Sequence, residues 1–170
     1  MTELVADTSA LVSLGIVDDH DPSPIALLDR EYDLLVPNEV AEELTDVASY
    51  DDEHGRAAQT VRSSLTDDCV LSVELDREFP LDDGENAAVC LANERASEIL
   101  LCDEFNSLGL IHASLADTRL VTTPTLLSVF TKREQLSQST AAAILNTIAD
   151  ARSWDGNSYV QRARSQLENG

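Results

Sequence analysis

Apolar positions along this chain recur with two periods. Short runs such as Leu4, Val5, Ala6 and Leu34, Leu35, Val36 read as buried strands, whereas longer stretches space their apolar residues three and four apart, as amphipathic helices do. Strands are predicted over residues 3–7, 33–36, 69–75, 99–102 and 119–122. Helices are predicted over 8–17, 22–32, 37–49, 50–65, 84–96, 105–116 and 125–133, several opened by Ser, Thr or Pro. Such alternation implies an α/β fold, a parallel sheet covered by helices on both faces in three layers. After Arg133 the alternation stops, and 137–152 and 157–167 read as two successive helices. The expected organisation is an α/β domain over 1–133 with a C-terminal helical extension, 134–170, packed on it. Trp154, between the last two helices, is expected to anchor them to the core.

At 170 residues and 43% hydrophobic content, the chain has the size of one domain that needs no disulfides. Cys69, Cys90 and Cys102 form no Cys-x-x-Cys pair and have no histidine at zinc spacing, so they read as small buried hydrophobes. His20, His54 and His112 are equally scattered and read as solvated or structural. Neither a signal peptide nor an apolar run of roughly 20 residues is recognisable, so a soluble, cytoplasmic protein is expected.

Charge changes the picture. The net charge is −21, from 32 acidic against 11 basic residues, and Lys132 is the one lysine. In ordinary salt such self-repulsion works against a compact state and repels nucleic acid. In molar salt the Debye length falls to about 3 Å and the repulsion is mostly screened. A halophilic source with a potassium-rich cytoplasm is the first reading, and a cationic partner the second. Either way most carboxylates are solvated surface, and position must single out any that carry chemistry.

Position does single out a few. Asp7 stands where the first strand gives way to its helix, and Asp103 at the same end of a later strand. In a parallel sheet both project from the edge where open α/β sheets bind ligands. In the helix after Pro37, Val40 and Leu44 define the buried stripe; Glu43 sits at its margin, with Glu39 and Glu42 facing solvent. Glu85 falls in the first turn of its helix, where the helix dipole favours a carboxylate whether or not it binds anything.

Four segments, V-A-D-T-S-A-L at 5–11, V-P-x-x-V-x-x-E-L at 36–44, G-E-x-x-A-x-x-L-A at 84–92 and L-x-D at 101–103, occur in the order and spacing of the PIN domain family, which the chain resembles over roughly residues 4–133. The resemblance implies a sheet of about five parallel strands and a nuclease, usually a ribonuclease, that hydrolyses phosphodiesters with Mg2+ or Mn2+. By position, Asp7, Glu43, Glu85 and Asp103 match the family's acidic cluster, as metal ligands and catalytic residues, with Asp7 and Asp103 expected to be the principal ones. Thr8 and Ser9 match the polar pair after the first aspartate, and Glu104 and Asn106 are auxiliary candidates. Hard divalent cations take such oxygen ligands and can activate water for in-line attack on phosphorus.

Two departures from the family stand out. Asn106 and Ser107 are neutral where many relatives carry a basic residue, and Thr122, Thr123, Pro124 replace a frequent Gly-Thr. Arg119 and Arg133 remain as candidate contacts to an RNA substrate. Within the family, the toxin of a toxin–antitoxin pair is the expected role, with an antitoxin protein and a homodimer as candidate partners. The alternative is a PIN-fold binding module with weak or no catalysis, acting through a protein or RNA partner. An aspartyl-phosphate phosphatase would want a second aspartate where Ser9 stands, and a receiver-like domain would want a lysine on a late strand, whereas Lys132 lies in a predicted helix.

Overall fold

The computed structural model describes residues 1–169. Its strands are β1 (Glu3–Ala6), β2 (Asp33–Pro37), β3 (Val70–Leu71), β4 (Ile99–Leu101) and β5 (Arg119–Val121), which form one five-stranded, all-parallel sheet in the order β3-β2-β1-β4-β5. The chain starts in the middle, winds outward through β2 and β3, then returns to the other side of β1 for β4 and β5. The order therefore reverses between β1 and β4, and the crevice beyond their carboxyl ends is the switch point of the sheet.

Period-two burial explains the layers. Leu4 and Ala6 of β1 point into one core and Val5 into the other, so the strand is buried on both faces. The larger core lies under α1 (Thr8–Ile16), α2 (Pro24–Glu31), α3 (Asn38–Ala48), α4 (Glu53–Ser64) and α7 (Thr123–Lys132). The smaller one lies under α5 (Asp83–Arg95) and α6 (Leu108–Ser114). Helix α8 (Gln138–Arg152) packs on α1 and α7, and α9 (Ser158–Asn169) on α7 and α8; Ile144, Leu145 and Ile148 share the larger core with Leu4. Trp154 is buried there as expected, edge-on to Phe105 with ring centroids 4.9 Å apart.

Helix α1 is buried from Thr8 to Gly15, since α4 and α8 cover what the sheet does not. Gly15 allows the close approach of α4, because a Cβ there would lie 2.5 Å from the Ala57 carbonyl oxygen. Among the described residues no helix is long and apolar enough to cross a membrane.

Several boundaries move for local reasons. Residues 69–75 do not form a strand of that length: only Val70 and Leu71 pair with β2, a single 3-10 turn precedes them, and the following segment is tied instead to α5 through Asn86, whose side chain bonds the backbone N–H and C=O of Asp76. Ser23, Asp52 and Thr122 cap helices that begin two or three residues away from the predicted starts. Of the three cysteines only Cys102 is buried, and Cys69 and Cys90 are partly exposed.

Candidate metal centre

Asp7 is held at the joint between β1 and α1. Its N–H donates to the Leu101 carbonyl of β4 (2.9 Å) and its carbonyl accepts the first bond of α1 from Leu11 (3.1 Å). Although it occupies the N-cap position, its carboxylate caps nothing. That carboxylate is 3% exposed and accepts from Ser9 Oγ at 3.1 Å and Cys102 Sγ at 3.4 Å. Ser9 Oγ in turn accepts the Asp103 N–H at 3.0 Å, so one hydroxyl stitches the two strand ends across the switch point.

Around Asp7 the sheet edge opens into a cleft of about 200 Å³ whose walls carry five carboxylates, those of Asp7, Glu43, Asp82, Glu85 and Glu104. Val40 and Leu44 fix the buried face of α3, which leaves Glu43 on its margin, half-buried and accepting from Thr8 Oγ1 at 2.8 Å. Glu43 lies against the start of α5, and Gly84 makes this possible, since a Cβ on residue 84 would collide with its carboxylate. Asp82 caps α5 by accepting the Glu85 N–H at 2.8 Å, which turns Glu85 inward to 8% exposure. Glu85 therefore faces the cleft and not bulk solvent, while still standing in the first turn of α5.

The electrostatics follow from burial that hydrogen bonds offset only in part. Burial and then the Glu43 charge push the Asp7 carboxyl up to about 7, and burial with the Asp82 and Glu104 charges pushes Glu85 up to about 7. Glu43 and Glu104 are raised for the same reasons, with Arg152 opposing the shift on Glu104. Burial raises the Cys102 thiol well above its ordinary range, so it is a packed thiol and no soft metal ligand.

Asp103 is placed differently from the other family-matched carboxylates. Its Oδ1 accepts the Thr123 N–H at 2.7 Å and its Oδ2 the Thr123 hydroxyl at 2.5 Å, so both oxygens are engaged in anchoring α7. Asp103 lines not the acidic cleft but an adjacent polar pocket of about 450 Å³, together with the exposed Asn106. Thr123, in the segment that departs from the family's Gly-Thr, is what holds it there.

The structure brings Asp7, Thr8, Ser9, Glu43, Glu85 and Glu104 together. It does not bring Arg119 or Arg133. Arg119 opens β5 and so sits at the opposite end of the sheet, and Arg133 follows the far end of α7; both are solvent-exposed, and the expectation that they contact substrate at this site is corrected accordingly. Three polar residues that sequence reading did not assign to the site line the cleft: Asp82, His54, which was read as solvated or structural, and Arg152. Asp82 carried a signal, since Asp three residues before Glu at a helix start is a capping pattern. His54, whose Nε2 lies 3.2 Å from the Ala151 carbonyl, and Arg152 carried none, because only the packing of α4 and α8 over α1 delivers them.

A hard divalent cation fits the donor chemistry of the cleft, which is carboxylate and hydroxyl oxygen with negative charge that no bonded cation neutralises. Among the described residues, however, no group of three or more His, Cys, Asp or Glu side chains is gathered closely enough to hold an ion by itself.

A family model described as a PIN domain matches residues 3–169, from the first strand through the C-terminal helices. No curated protein and no solved structure matches the chain. The chain therefore belongs to the PIN domain family, whose members are generally nucleases that bind divalent metal.

Proposed function

We propose that this protein is an endoribonuclease that hydrolyses phosphodiesters with Mg2+ or Mn2+ bound in the acidic cleft. The supporting observation is a buried Asp7 facing Glu43, Glu85 and Glu104 with no bonded cation, a charge arrangement that opposes folding unless a ligand repays it. Asp7, Glu43, Glu85 and Glu104 would hold the ion directly or through water; Asp103, whose two oxygens each accept one bond from Thr123, keeps acceptor capacity with which it would join them from the adjacent pocket. Bound there, a divalent ion supplies an activated water and stabilises charge on phosphorus and on the leaving oxygen. The chain's own part is positional. Thr8 orients Glu43, Ser9 fixes Asp7 relative to the β4 end, and Val12 and Val47 form an apolar wall of the cleft.

The surrounding biology belongs to the same proposal. The acidic, lysine-poor composition suits a salt-rich cytoplasm, and the role is that of a toxin ribonuclease restrained by a small antitoxin, with self-association as a further candidate. One observation favours a second reading, a non-catalytic binding module: Asp103 lines the adjacent pocket, bonded to Thr123, and not the acidic cleft.

The deciding experiment is cleavage of labelled single-stranded and structured RNA in molar KCl with Mg2+, Mn2+ or EDTA, alongside Asp7→Asn. Metal-dependent cleavage, reduced at least about 100-fold in the variant, is expected, since even supporting residues of metal sites commonly cost 10–100-fold. A folded wild type that neither cleaves RNA nor binds either metal in calorimetry would replace this reading with the binding module.

A further inference from the structure

Arg152 is the one arginine or lysine that lines either the acidic cleft or the polar pocket beside it, and it lines both. It ends α8, which brings the guanidinium over the Trp154 ring, 6.0 Å from the centroid. Among the described residues it makes no hydrogen bond and no ion pair, although carboxylates outnumber basic groups almost threefold and Glu104 lines the same two pockets. A half-buried arginine held by its packing, with its fork of donors unused, is poised for an acceptor that arrives from outside. In an acidic cleft whose charge is to be met by a cation, the fitting acceptor is a phosphodiester oxygen pair, which matches the guanidinium bidentately.

We infer that Arg152 is the substrate-phosphate anchor of this protein and that the bound strand runs from the acidic cleft across Arg152 into the pocket of Asn106, Ser153 and Asn157. This rests on the nuclease reading for what happens in the cleft, but the anchor is a binding function and is measurable without cleavage. The pocket of about 450 Å³ takes the nucleotide next to the scissile bond. Asn106, exposed at its rim, supplies an amide for the base edge.

The test is fluorescence anisotropy of a labelled single-stranded RNA with Mg2+ present, in an Asp7→Asn background that keeps the RNA intact. Adding Arg152→Ala should raise Kd at least tenfold, Arg152→Lys should recover less than half of that loss because it restores charge without the fork, and Asn106→Ala should raise Kd two- to fivefold. Because Arg152→Ala also removes packing on Trp154, melting temperatures accompany each Kd, and the lysine and Asn106 variants carry the conclusion if the alanine variant fails to fold. Equal Kd values for the parent, the lysine variant and the Asn106 variant overturn the assignment, as does a folded parent that binds no RNA. RNA bound through Arg152 but left uncut by wild-type protein would keep the anchor and sink the nuclease reading alone.

Discussion

The two ends of β1 carry the same chemistry and opposite environments. Glu3, at its start, receives Arg95 through Nε at 2.8 Å and Nη2 at 3.1 Å, and the Ser97 hydroxyl at 2.6 Å; the Arg95 bond, more than any other cause, holds its carboxyl below the ordinary range. Asp7, just past the end of the same strand, is buried among other carboxylates and pushed up to about 7. A chain with 10 arginines and one lysine has one of them on Glu3, the end that does nothing further, while the only one lining the acidic cleft stays unbonded. A fold selected for stability alone would reverse that distribution. The difference marks the carboxyl edge of the sheet as the working edge on physical grounds independent of motif.

The largest expected effect sharpens this contrast through pH. Asp7 and Glu85 have folded pKa values raised above their unfolded ones, so their contribution to stability is fully present below about pH 4 and is lost as pH rises through about 7. Glu3 is lowered, so its contribution is present above its unfolded pKa and is lost as pH falls through the folded value. In metal-free protein the first effect dominates between pH 5 and 8, at roughly 2–4 kcal/mol for Asp7. Thermal melts in molar KCl with EDTA should show Tm falling across that range, Asp7→Asn should flatten the fall, and Mg2+ should restore Tm at pH 8. A Tm that is flat from pH 5 to 8 in the wild type would break the comparison at its root.

How far the sequence anticipated this site depends on how local each determinant is. The sequence put Asp7 at a strand end, Glu43 at the margin of the stripe set by Val40 and Leu44, and Glu85 in a first helical turn, and the structure gathers the three around one cleft because each position is fixed locally. The parallel sheet was readable from β1, β2 and β4, whose apolar runs are buried on both faces. What was not readable is what distant elements decide. Asp103 looked equivalent to Asp7, yet Thr123, the first residue of α7, claims both of its oxygens. The positions of Arg119 and Arg133 were legible from strand direction: Arg119 opens a parallel strand and so lies at its amino end, and Arg133 ends the helix that leads away from the carboxyl edge. Arg152 was invisible because its place depends on how α8 lies across α1. Edge strand β3 is short because its partner β2 ends at Pro37, opposite Leu71, and turns into α3 at Asn38.

A smaller effect tests whether the acidic end is arranged or merely crowded. Gly84→Ala places a methyl where the Glu43 carboxylate now lies, and that carboxylate, at the tip of a flexible side chain, can swing away at little cost to the fold. The variant also gains helix propensity, up to about 1 kcal/mol. Mg2+ affinity by calorimetry is therefore expected to fall about tenfold while Tm without metal holds or rises, a divergence that a purely structural glycine would not give. Loss of Tm with unchanged affinity would show Gly84 serving packing, and Glu43 no part of the centre.

The smallest effect lies at the quiet end. Glu3→Gln removes the charge that Arg95 binds but keeps the length of the side chain, and the pair lies at the surface with Arg95 exposed and Glu3 partly so, so a slight fall of Tm at neutral pH and unchanged cleavage are expected. The four residues of β1 span about 13 Å, and no hydrogen-bonded group is shared between Glu3 and Asp7. The stability changes of Glu3→Gln and Asp7→Asn should then add in the double variant, with opposite signs above pH 7, the first lowering Tm and the second raising it. Significant non-additivity would mean that the field of the acidic cluster reaches the far end of the strand even in molar salt. The Arg95 pair would then be part of how the fold tolerates Asp7, and the two ends would be one electrostatic system.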